Sequence, residues 1–67
     1  MKTEQLIQAL LDESKVRLIN PSYRKIPEDK NVFTIERLAR RGDYLDLYWE
    51  EEWEVIVDID PTEIELI

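Results

Sequence analysis

Tyr44-Leu45-Asp46-Leu47-Tyr48-Trp49-Glu50-Glu51-Glu52-Trp53-Glu54-Val55-Ile56-Val57-Asp58-Ile59-Asp60 decides how this chain of 67 residues is read. Leu45, Leu47 and Trp49 alternate with Tyr44, Asp46 and Tyr48. Beyond the acidic triplet, Trp53, Val55, Val57 and Ile59 alternate with Glu54, Ile56, Asp58 and Asp60. Successive side chains of a strand point to opposite faces, so this period of two predicts two half-buried antiparallel strands joined at Glu50-Glu51-Glu52. Trp49 and Trp53 then flank the turn on the inner face, where an aromatic pair stabilises a hairpin. Tyr44, Tyr48 and Ile56 fall on the opposite face, which is either open or covered by another element.

Working outward, Asp60-Pro61-Thr62 reads as a turn and Glu63 to Ile67 as a closing strand. Upstream, Arg41-Gly42-Asp43 supplies another turn, and Gly42, the only glycine, is assigned a backbone position with positive φ. Val32 to Leu38 is rich in β-branched and aromatic residues and predicts a strand. Pro21 to Asn31 reads as a polar loop, long enough that a functional role is common. Val16 to Ile19 predicts a short strand ended by Asn20-Pro21, because proline cannot donate to a ladder. Leu6, Ile7, Leu10 and Leu11 recur at helical spacing and predict a helix over about Glu4 to Ser14, with Thr3 as N-cap and Glu4 at the positive end of the dipole. The expected fold is mainly β within the α+β class: one domain over residues 1–67, a helix at 4–14 and about five strands over 16–67.

That order of elements, with Val32-Phe33-Thr34-Ile35-Glu36-Arg37 and later Asp60-Pro61-Thr62-Glu63-Ile64-Glu65-Leu66-Ile67, resembles small Src-homology-3-like barrels of bacterial and bacteriophage type. The resemblance covers residues 16–67 and leaves the helix as an addition. It implies a closed antiparallel barrel that binds through its long first loop and adjacent face, with no catalytic residues to carry over. Only Tyr23 stands in that loop as an aromatic, so the groove that such barrels use for proline-rich ligands is not reproduced.

Charge is unevenly placed. All nine basic residues lie within positions 1–42 together with six acidic ones, giving +3; the last 25 residues hold ten carboxylates and no Lys or Arg, giving −10, and the chain totals −7. Separated charge of this kind favours a basic partner surface over nucleic acid. Tyr44, Asp46, Tyr48, Glu50, Glu51, Glu52, Glu54 and Asp58 are the candidate partner-binding residues: aromatic anchors ringed by carboxylates compose a protein-binding patch. The internal alternative is that Arg37, Arg40 and Arg41 neutralise the acidic turn. Arg17, Arg24, Lys25, Arg37, Arg40 and Arg41 form a basic stripe that gives the alternative of a nucleic-acid-binding barrel. A third reading is a structural subunit of a larger assembly, and an exposed edge strand would permit a homodimer.

The chain has no cysteine and no histidine. Disulfides, thiolate or imidazole metal ligands and imidazole-dependent triads are thereby excluded. Asp58, Asp60 and Glu63 gather at one turn without calcium-loop spacing. No enzymatic activity, cofactor or metal is expected. The sequence has no apolar run fit for a signal peptide or a membrane span, so a cytoplasmic location is expected, in a host cytoplasm if the chain is phage-encoded. On the phage-type resemblance, the reading is an acidic inhibitor that mimics nucleic acid, in the manner of an anti-CRISPR protein, and occupies the basic site of a host nuclease or defence complex.

Overall fold

The computed structural model describes residues 1–39 and 43–67. One helix, α1 (Thr3–Leu11), precedes five strands: β1 (Val16–Leu18), β2 (Thr34–Leu38), β3 (Leu45–Trp49), β4 (Glu54–Ile59) and β5 (Ile64–Leu66). The strands form two antiparallel sheets, β1-β5 and the meander β2-β3-β4. Among the described residues they do not close into a barrel. The sheets meet where Val16 and Phe33 exchange both backbone bonds, at 2.8 and 2.9 Å. Arg41 and Gly42, expected to form a turn with Asp43, lie outside the described residues. No helix of the described chain is long and apolar enough to cross a membrane.

The helix starts earlier than its sequence indicates. Lys2, not Thr3, is the N-cap, and the Gln5 side chain accepts the Lys2 backbone N–H at 3.0 Å. It also stops earlier, because Glu13 adopts φ 54° and turns the chain away. Leu6 and Ala9 are buried and Leu10 packs beside them, while Ile7 and Leu11 are exposed. The buried stripe is therefore narrower than the apolar one: small Ala9 lets the helix lie close, and Ile7 and Leu11 fall round its side.

Core side chains come from every element. Leu6, Val16, Phe33, Leu45, Leu47, Ile59 and Ile64 are almost wholly enclosed. Inner positions of β3 alternate as the sequence indicates, but those of β4 do not. Leu47 faces Ile56 and Leu45 faces Ile59, so two residues of β4, Val57 and Asp58, stand opposite Asp46 alone. Asp58 takes φ 57° to make this bulge. A bulge reverses the parity of the strand, which brings Ile56 inward and leaves Val55 and Val57 outside. A second irregularity between Ile35 and Arg37 breaks the β2 side of the same sheet.

The segment from Pro21 to Asn31 is not slack. It folds into 3₁₀ turns at Pro21–Arg24 and Glu28–Lys30, and Ile26 is buried. Asn31, the one buried polar side chain of the described residues, accepts the Leu18 N–H and donates to the Leu18 carbonyl, both at 2.9 Å. The amide thus continues the β1 ladder where no strand is available. Asn31→Ala leaves both Leu18 groups unpaired, and chemical denaturation should show a loss of about 1–3 kcal/mol.

The turn Pro61–Glu63 before β5 is held at its N-terminal end by a reciprocal capping box of Asp60 and Glu63. Asp60 accepts from the Thr62 N–H at 2.9 Å and its hydroxyl at 2.8 Å, and Glu63 accepts the Asp60 N–H at 2.9 Å. Arg24 grips Glu63 through two bonds of 3.1 Å, tying the long loop to this turn. The Arg24 guanidinium holds the Glu63 carboxyl below its ordinary value of 4.5, and the Thr62 bonds hold Asp60 below 3.8. Carboxyls with lowered folded values stabilise the fold above their ordinary values and lose that contribution as pH falls through the lowered ones. Stability should therefore decline as pH drops below about 4.5, and Glu63→Gln should flatten the decline in denaturation midpoints measured across acid pH.

Candidate functional site: the acidic hairpin

The β3–β4 connection is a 3₁₀ turn of Glu50, Glu51 and Glu52. With no glycine or asparagine at its end, Trp53 itself takes the left-handed conformation, φ 56° and ψ 40°. That geometry is rare for a bulky residue and costs about 1–2 kcal/mol. The residue is 86% exposed. The inward Trp pair suggested by alternation does not form, because the left-handed step swings Trp53 outward. Trp49 instead packs against Phe33, with ring centroids 5.6 Å apart, and its indole N–H donates to the Lys30 carbonyl at 2.8 Å.

Among the described residues two of the hairpin carboxylates have basic partners, both lysines. Lys15 reaches Glu50 at 3.2 Å and Lys30 reaches Glu52 at 2.9 Å. The Glu52 bond and charge raise the Lys30 pKa. Arg37, expected at the turn, stands beside Asp46 at 3.8 Å, its partner in the β2–β3 register. Asp46 is half-buried between the two sheet irregularities and also accepts the Asp58 N–H at 3.2 Å. Arg40 and Arg41 lie outside the described residues. Lys15 and Lys30 were not identifiable from spacing, since they lie 35 and 22 positions from their partners.

Other C-terminal carboxylates are engaged at the far sheet: Glu63 by Arg24 and Glu65 by Arg17, the latter at 2.8 Å. Among the described residues, Asp43, Glu51, Glu54, Asp58 and Asp60 have no basic group within 4.0 Å. Glu51, Glu54 and Asp58 are exposed along the hairpin and β4. Between them, on the face away from the core, lie Val55 (44% exposed) and Val57 (55%), with Tyr44 (53%) just before the neighbouring strand. Tyr48 is half-buried on that face opposite Val55. Tyr44, Val55 and Val57 are left open there, since the buried side chains of α1 join the inner core, while Leu10 and Glu13 near the end of the helix line a hollow beside Tyr48. Ile56 is absent from this surface because of the bulge. On the inner side, beside Glu54, an open hollow of about 550 Å³ is lined by residues including Tyr23, Ile26, Trp49 and Ile56.

Four residues of the basic stripe lie among the described residues. Arg17, Arg24 and Arg37 each face a carboxylate, while Lys25 is exposed at the end of the first 3₁₀ turn. No group of three or more potential metal-ligating side chains occurs among the described residues. No protein-family model matches the chain, and no characterised protein and no solved structure matches it.

The two tryptophans should respond oppositely to truncation. Trp49→Ala removes a buried ring and should cost about 3–5 kcal/mol in denaturation. Trp53→Ala should stay within about 0.5 kcal/mol, and the tryptophan emission quenched by iodide in the native protein should vanish with it.

Proposed function

We propose that the protein is a small non-enzymatic binding protein whose acidic hairpin and adjoining β4 face dock on a basic surface of a partner protein. The observation that carries this reading is the juxtaposition of Glu51, Glu54 and Asp58, none within 4.0 Å of a basic group of the described residues, with exposed Trp53, Val55, Val57 and Tyr44. Carboxylates supply steering and selectivity for a positive surface, and aromatic and aliphatic groups supply the area that is dehydrated on contact. Half of the hairpin's own charge is already met by Lys15 and Lys30. Exposed pairs of this kind are worth only about 0–1 kcal/mol, so a partner's arginines displace them at small cost.

The order of pairing supports the Src-homology-3-like reading of the strands: β1 with β5, β1 bridged to the start of β2, a β2-β3-β4 meander and a 3₁₀ turn before β5. With that resemblance to small phage proteins, the partner class is a nucleic-acid-binding host protein such as a nuclease or defence complex, inhibited by occupation of its basic site. Direct nucleic-acid binding is the weaker reading, because phosphate would have to compete with the carboxylates facing Arg17, Arg24 and Arg37.

Reversing Glu51, Glu54 and Asp58 to Lys in a variant with an unchanged melt should abolish competition with DNA for purified basic nucleic-acid-binding proteins. Undiminished competition would reject the surface. A mobility shift of DNA by the protein alone, weakening steeply with salt, would favour the basic stripe instead.

A further inference from the structure

We propose that the free edge of β4 is a docking strand, which takes up an extended segment of a partner protein, alternating basic and apolar residues, by strand addition. This deepens the acidic-surface reading and rests on it. Among the described residues β4 is the longest strand, six residues, and pairs only with β3 at the margin of its sheet. Alternate residues of such a strand direct N–H and C=O groups away from the sheet. Among the described residues no backbone bond from another segment reaches Glu54 to Ile59. An added strand would find hydrogen-bonding groups along this edge and two apolar side chains, Val55 and Val57, on the outer face.

Charge decides the occupant. Glu54 and Asp58 lie on the strand, Glu51 precedes it and Asp60 follows it, none within 4.0 Å of a basic group of the described residues. Pairing two copies through β4 would set these carboxylates against their own counterparts, and like charges across a strand pair are destabilising. A segment whose apolar side chains rest on Val55 and Val57, while its arginines or lysines fall on the side of Glu54, meets no such penalty. The charges that oppose self-pairing thus select a basic strand, which is specificity by repulsion as well as attraction. The bulge at Asp58, φ 57°, bends the edge and limits the paired stretch to Glu54 through Val57.

The test uses the full chain, isotopically labelled, and a capped peptide of about eight residues alternating Arg and Val, titrated at about 50 mM salt. Two further peptides carry N-methyl groups on one or the other set of alternate amides, and a fourth replaces Arg with Glu. Strand addition predicts NMR shifts and slowed amide exchange centred on Glu54 to Val57. One methylated peptide should lose binding by about tenfold or more while the other retains it, and the Glu peptide should not bind. Equal binding of both methylated peptides, or shifts away from β4, would overturn the docking strand and leave the acidic surface standing. No binding of the Arg peptide would overturn both. A dimer by light scattering, with β4 amides protected in the absence of peptide, would make the occupant a second copy and overturn the basic-strand assignment.

Discussion

An antiparallel bridge, Val16 with Phe33, joins the two sheets. β1 and β5 cannot bury a core alone, and neither can the three-stranded meander; Phe33 belongs to both through its backbone, and its ring lies against Trp49. Trp49 in turn fastens the loop carbonyl of Lys30, and Asn31 extends β1 beside it. Backbone pairing, ring packing and loop anchoring therefore converge on residues 30–33. A chain this short buries a smaller fraction of its surface than a larger domain does, so it gains from making a few side chains serve several contacts.

The element order was legible because periodicity and turn residues report directly on local geometry. β3 shows this well: Leu45, Leu47 and Trp49 lie inside as their alternation indicates. β4 reads the same way but folds otherwise, because Asp58 takes a left-handed backbone and inverts the parity that Val55 and Val57 advertise. Nothing in composition marks Asp58 for that conformation beyond the modest tolerance of aspartate for it. The turn of three glutamates did hold a usable signal: with no glycine or asparagine, some residue carrying a Cβ had to take positive φ, and Trp53 does.

The candidate site was legible in its chemistry and not in its neutralisation. Carboxylate density identified the hairpin, and Tyr44 remains open as one of the two alternatives required. Arg37, near the turn in sequence, stands beside Asp46 instead, and lysines brought in by the fold meet Glu50 and Glu52. Lys15 at the end of the helix connection and Lys30 at the end of the loop approach the turn only after the sheets have packed. Long-range ion pairs follow topology and leave no local pattern.

Asp46 sits where both neighbouring strands lose their regular step, with Arg37 on one side and the Asp58 N–H on the other. Extra residues on both flanks of one position coil a narrow sheet sharply about its middle strand. Such coiling lets three short strands wrap a core that a flat ribbon could only cover from one side. It also sets how this architecture tolerates change. Related chains that share it should drift in length by one residue on either side of β3, so a gapless alignment would pair inward with outward positions and hide the kinship.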